Sequence, residues 1–178
     1  MAHPFFTIGH GTRSIEEFTA LLKEAAVTLV IDVRTVPRSR TNPQFNTDTL
    51  PGSLEADQMA YQHMAALGGL RGKQRTVPSE MNAFWDNASF HNYADYAMGE
   101  DFHTALTKLR LLGHERRCAI MCAETVWWRC HRRIIADYLI AADEQVFHIL
   151  GPAHIEPARP TAGIRIEPGP VVTYPRAA

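Results

Sequence analysis

Short apolar runs alternate along this chain with longer stretches of helical periodicity. Phe5-Phe6-Thr7-Ile8, Thr28-Leu29-Val30-Ile31, Ala119-Ile120-Met121 and Val146-Phe147-His148-Ile149-Leu150 are too short for helices and are bounded by charge or turns. That is how buried parallel strands read. Between the first two runs, Ile15, Phe18, Leu21 and Leu22 share one helical face behind Ser14 and Glu17, a capping-box pair. Ile134, Ile135, Tyr138 and Leu139 mark a second helix over 130–142. Residues 78–112 carry further apolar stripes with a break at Gly99, and 48–67 reads as a short helix followed by a strand-like Met59–His63.

The expectation is a three-layer α/β domain with a mainly parallel sheet, helices on both faces and strands near 5–8, 28–33, 118–122 and 145–150. A core of 1–150 is then followed by a proline-rich extension, 151–178. Prolines at 152, 157, 160, 168, 170 and 175 forbid a long helix there. Gly163–Ile166 and Val171–Tyr174, flanking Pro168-Gly169, predict a hairpin packed on the core.

Composition narrows the classes. At 178 residues the chain suits one domain with a sizeable core. No apolar run approaches the roughly 20 residues that span a bilayer. The opening MAHPFFTIGHG has no basic segment leading into a long apolar one. A cytoplasmic protein without membrane contact is the expectation. Three cysteines, an odd count, do not suggest a disulfide framework. The net charge of −1 argues against a broad polyanion-binding surface. Of the 18 basic residues, however, 15 are Arg. Base bias in the gene would produce such an excess, but guanidinium forks also suit phosphate and carboxylate. Their placement therefore matters more than their number.

The polar residues gather where strands end. His10 and Arg13 follow the first run, and Asp32 and Arg34 close the second. Arg38 and Arg40 follow on the loop VPRSRTNPQFN, and Cys122, Glu124, Arg129, Cys130, His131, Arg132 and Arg133 follow the third run. In a parallel sheet those positions share one edge, the usual place for a ligand. Cys130, at a helix start among arginines, is the better nucleophile candidate, because amides, dipole and cations favour its thiolate. Cys122 is the better packing thiol, and Cys118 is expected to pack. Glu124, His131 and Asp32 are the candidate acid–base partners of Cys130. His10, Arg13, Arg34, Arg38, Arg40, Cys122 and Arg132 are the candidate ligand-binding groups. Cys122 and Cys130 lie too far apart, and Cys130 and His131 too close, for the paired spacing of a zinc site, so no metal is expected. Neither GxGxxG nor a P-loop is present, and the sequence names no cofactor.

TIGHGTR, IDVRTVPRSRTNPQFN, YQHMAALGGLRG and MCAETVWWRCHRRIIADYL, in this order, resemble the bacterial proteins grouped as domain of unknown function 488. The resemblance runs from about Thr7 to Ile149 and rests on the pairing of Cys-Ala-Glu with Cys-His-Arg. It implies a single α/β domain with a polar cleft, and no particular reaction. The family's first turn often reads His-Ser-x-Arg, and here Gly11 stands for the Ser. Its tail often carries a His near Glu-Pro, where this chain has Ala158. Ile31-Asp32-Val33-Arg34 also resembles a strand end of rhodanese-like sulfurtransferases, which implies cysteine-dependent sulfur transfer at Cys122 as an alternative. The leading expectation is a phosphate-bearing ligand, a nucleotide or nucleic acid, bound or acted on in the cleft. A non-catalytic binding or regulatory module is the competing class. Oligomeric state is not legible.

Overall fold

The computed structural model describes residues 2–177. Its strands are β1 (Phe5–Gly9), β2 (Leu29–Asp32), β3 (Ala60–His63), β4 (Cys118–Cys122), β5 (Val146–Gly151), β6 (His154–Pro157), β7 (Arg165–Glu167) and β8 (Val171–Thr173). Its α-helices are α1 (Ile15–Glu24), α2 (Leu50–Glu55), α3 (Ala88–Tyr96), α4 (Glu100–Glu115) and α5 (Arg132–Ala141). The main sheet runs β3-β2-β4-β1-β5-β6. The first five strands are parallel, and β6 closes the β5 edge in antiparallel sense. This is the α/β architecture expected from the apolar runs.

Local sequence explains the main elements. Ser14 Oγ accepts from the Glu17 amide and the Glu17 carboxylate accepts from the Ser14 amide, so the capping box starts α1 as its spacing predicts. The expected helix over 130–142 begins only at Arg132, because Cys130 keeps extended backbone and His131 is the N-cap.

Strand parity then divides the core. Phe6, Ile8, Val30, Ala119 and Met121 pack under α1 and α2. Phe5, Ile31, Val33, Cys118, Ile120 and Cys122 pack on the opposite face against α3, α4 and α5. Cys122 therefore faces the start of α5, whereas Asp32, one position out of phase with Ile31 and Val33, belongs to the other face.

The chain's last segment is tied to α5 by a buried carboxylate. Asp137 accepts from the Thr161 amide at 2.9 Å, the Thr161 hydroxyl at 2.7 Å and the Tyr174 hydroxyl at 2.8 Å. Tyr138 donates to the Val172 carbonyl at 3.2 Å. Burial pushes the Asp137 carboxyl above its ordinary value, and the Thr161 and Tyr174 bonds oppose that rise. Tyr174→Phe removes one of those donors and is expected to destabilise the protein by about 1–3 kcal/mol at neutral pH. The sign of the pH dependence follows from the raised value. A carboxyl whose folded pKa exceeds its unfolded one binds its proton more tightly in the folded state, so acidification relieves the cost. Tyr174→Phe raises that folded value further. Urea unfolding at neutral pH and at about pH 4 should therefore show the deficit narrowing in acid. A deficit that is constant or widens contradicts this.

Candidate functional site

The carboxyl ends of β1, β2 and β4 are locked side by side. Gly9 is level with Cys122 and Asp32 with Met121. Beyond the strands, the His10 amide donates to the Cys122 carbonyl at 2.9 Å, the Gly11 amide to Ala123 at 3.0 Å and the Val33 amide to Met121 at 2.9 Å. Gly9 is needed for this approach, since a methyl there would run into the Glu124 backbone.

Between these ends and the start of α5 opens a cavity of about 330 Å³. Cys122, Glu124, Arg129, Cys130, His131, Arg34 and Arg38 contribute to its wall, with Val36, Leu70, Phe90 and Tyr93 as its apolar part.

The two thiols meet inside it, with sulfurs 2.7 Å apart. Cys122 Sγ also lies 3.5 Å from the Glu124 carbonyl oxygen. Cys130 Sγ lies 3.4 Å from His131 Nδ1 and accepts from the Arg132 amide at 3.4 Å. His131 Nε2 donates to the Val33 carbonyl at 2.8 Å, which leaves Nδ1 turned to the sulfur. Its ring is pinned from the other side by Gly69, where an added methyl would come within 2.6 Å of Nδ1. Burial alone would push both thiols up. For Cys130 the Cys122 S–H, the His131 ring and Arg132 outweigh burial and hold the thiol well below its ordinary value. For Cys122, burial and the neighbouring Cys130 raise it well above. The pair thus favours Cys130 as the thiolate and Cys122 as its hydrogen-bond donor. Cys118, buried at the start of β4, is pushed up to about 12 by burial.

Two buried arginines frame the thiols in different ways. Arg34 is held by Asp32 through Nε at 2.9 Å and Nη2 at 2.7 Å, and it donates to the Phe45 carbonyl at 2.7 Å. Tyr61 donates to the same carboxylate at 2.5 Å. Burial and that bond raise the Tyr61 hydroxyl to about 12, so it stays a donor. His10 stacks on Phe45 at 4.4 Å, donates from Nδ1 to the Gly11 carbonyl and faces Arg34 through Nε2 at 3.4 Å. Burial first, and Arg34 after it, lower the His10 pKa, which keeps its ring neutral. Arg132, 1% exposed, donates to Thr7 Oγ1 at 3.1 Å, Glu124 O at 2.8 Å and Thr125 O at 3.3 Å. Among the described residues it has no carboxylate partner.

The expected site residues therefore separate. Cys122, Glu124, Cys130, His131, Arg34 and Arg38 share the cavity. Asp32 does not line it. Parity places this carboxylate on the other face, where it anchors Arg34. Arg13 donates to the Gly9 and Leu150 carbonyls, tying β1 to β5. Arg40 lies at a separate hollow with Ser39, Pro43 and Asn46. Arg132 sits behind the thiol rather than in front of it. Of the basic loop after Gly68, Arg71 is turned inward to the Ala65 and Gly68 carbonyls and over the Tyr96 ring.

Sequence reasoning missed Tyr61, Tyr93, Thr7 and His148. The His148 ring stacks on Trp127 at 4.5 Å and takes the Thr7 hydroxyl on Nδ1 at 2.6 Å. Burial and then Arg132 lower its pKa to about 3. A His within an apolar strand run was the one available sign of it.

A largely parallel α/β sheet carrying a paired thiol–imidazole group at its strand ends defines an α/β protein with a cysteine-centred cleft. Residues 14–139 match the model of Domain of unknown function DUF488, and the chain belongs to that family. No curated protein matches it, and no solved structure does. No helix among the described residues is long and apolar enough to cross a membrane. Among those residues no group of three His, Cys, Asp or Glu side chains is placed to hold a metal ion.

The thiolate assignment has a direct readout. Iodoacetamide should alkylate Cys130 first and, near neutral pH, about tenfold faster than an unperturbed thiol, of which only a few per cent is ionised there. The pH midpoint of that reaction should lie well below about 8.5, and His131→Gln should move it upward. A midpoint at the ordinary value, or faster labelling of Cys122, contradicts the assignment.

Proposed function

We propose that this protein is a cysteine-dependent enzyme whose cleft takes a small phosphate-bearing substrate, with Cys130 as nucleophile. The observation that carries this reading is the Cys130 sulfur itself. It faces the cavity while held by the Cys122 thiol, His131 and the first amide of α5. A thiolate prepared in this way suits covalent attack on an electrophilic centre.

Around it, Arg34 contributes a guanidinium already aimed by Asp32, and Arg38 and Arg129 stand at the more open wall. Arg129 forms no ion pair among the described residues, so its charge is available to an anion. Val36, Leu70, Phe90 and Tyr93 would receive an apolar or aromatic part of the same molecule. His131 Nδ1 is positioned to accept the thiol proton, and Glu124 on the rim is the remaining acid–base group.

Sulfur transfer would use the same chemistry with a different carrier. Cys122 donates into the pair and is the more deeply covered sulfur, so Cys130 rather than Cys122 would hold the transferred atom.

A thermal-shift series over nucleotides, phosphosugars and oligonucleotides tests the reading. A compound at about 100 times its dissociation constant adds about 2.7 kcal/mol of stability. Arg129→Gln should weaken that shift. Cys130→Ala should keep it while abolishing turnover of the bound compound. A shift with no turnover in the wild type would make the cleft a non-catalytic binding module, turnover retained in Cys130→Ala would remove Cys130 as the nucleophile, and no shift with any phosphorylated compound would remove the phosphate reading.

A further inference from the structure

Cys122 is not needed as a nucleophile in the reading above, yet it is built into the same wall as Cys130. Its place follows from β4 parity, which points residues 118, 120 and 122 toward α5. The seven-residue loop 123–129 then returns the chain so that Cys130 Sγ lies 2.7 Å from Cys122 Sγ. Cys118, four residues back along the strand, is roughly 13 Å away at about 3.3 Å per residue. Cys130 thus has one thiol partner within reach in its own chain.

We propose that Cys122 and Cys130 form a redox-active dithiol that reduces small anionic disulfides, Cys130 attacking and Cys122 resolving. The Cys130 thiolate attacks one sulfur of the disulfide, whose S–S bond breaks and releases the first thiolate. Cys122 then gives up its proton and attacks Cys130 Sγ in the resulting mixed disulfide. The bond to the second half breaks, and that half leaves as a thiolate. The proton from Cys122 and one from solvent complete the two product thiols. The protein ends with a Cys122–Cys130 disulfide, having supplied the two electrons. Arg34, Arg38 and Arg129 on the cavity wall match carboxylates on such a disulfide.

This inference shares Cys130 with the proposed function but not its phosphate-bearing substrate, so the two fail separately. The full chain, reduced and then mixed with oxidised glutathione, is followed by intact mass and peptide mapping. Wild type should lose two hydrogens, gain a Cys122–Cys130 cross-link and release two equivalents of glutathione. Cys122→Ser should stop at a glutathione adduct on Cys130, and Cys130→Ser should scarcely react. Titration of wild type against mixtures of reduced and oxidised glutathione gives a readout independent of any variant's folding. A stable adduct on wild-type Cys130, a cross-link through Cys118 or between chains, or no oxidation in the titration would overturn the proposal. The phosphate shift of the reduced protein is read in separate samples and stands or falls alone.

Discussion

Arg132 is the group on which the site's geometry depends. Its guanidinium reaches β1 through Thr7 and the loop after β4 through the Glu124 and Thr125 carbonyls, while its own amide meets Cys130. A buried ion costs several kcal/mol to desolvate. Three hydrogen bonds to a charged group return about 1.5–3 kcal/mol each, which is of the same size. Nε has no acceptor in the structure. The balance is close enough that a nearby negative charge matters, and the Arg132 amide holds the Cys130 sulfur at the start of the same residue. The cation shapes the loop and adds to the effect of Cys122 and His131 in lowering the Cys130 thiol.

Arg34 shows the opposite solution. Its charge is cancelled by Asp32, whose remaining lone pairs are taken by Tyr61 and the Arg34 amide. Such a pair is costly to break and contributes little net charge to its surroundings. Arg34 therefore offers the cavity a fixed direction for hydrogen bonding rather than a strong field. The field comes from Arg132 behind the sulfur and from Arg129 at the open side, since Arg38 there is shared with Asp48 at 3.7 Å. Charge at the rim and fixed hydrogen-bond direction in the interior are thus divided between different arginines.

Much of this was legible in the chain. The four core strands, the capped α1 and the sharing of one cavity by Arg34, Arg38, Cys122, Glu124, Cys130 and His131 follow from apolar runs and parallel topology, whereas His10 stacks on Phe45 and is not part of that wall. What escaped was the face on which each group falls. Asp32 looked like an acid–base candidate because it ends a strand, yet its alternation with Ile31 and Val33 already assigned it to the other side of the sheet. Arg13 and Arg132 looked like ligand contacts by proximity in sequence. Their actual acceptors are carbonyls and a hydroxyl, some of them from elements more than a hundred residues distant, and local pattern cannot foretell those. Tyr61 and His148 were hidden for the same reason, each meeting its partner only across neighbouring strands.

The loop from Ala123 to Arg129 carries two tryptophans, which is heavy furnishing for a segment between a strand and a helix start. Anchoring explains Trp127, whereas Trp128 is exposed and meets only the edge of Trp127. Trp127 lies flat on His148 of β5, with 5° between the planes, and Arg133 reaches over the Trp127 ring from α5. The backbone is fastened at the Ala123, Glu124 and Thr125 carbonyls. With its interior fixed at these points, the loop can present Glu124 and Arg129 to the cavity without letting Cys130 drift from Cys122. A site that depends on two sulfurs meeting needs that stiffness, because a displacement of one ångström at either thiol separates a bonding approach from mere packing. The Trp127 ring supplies it at low conformational cost, with two torsions fixed. The same bulk that makes this loop unlike a tight anion-binding turn is what holds its thiol in place.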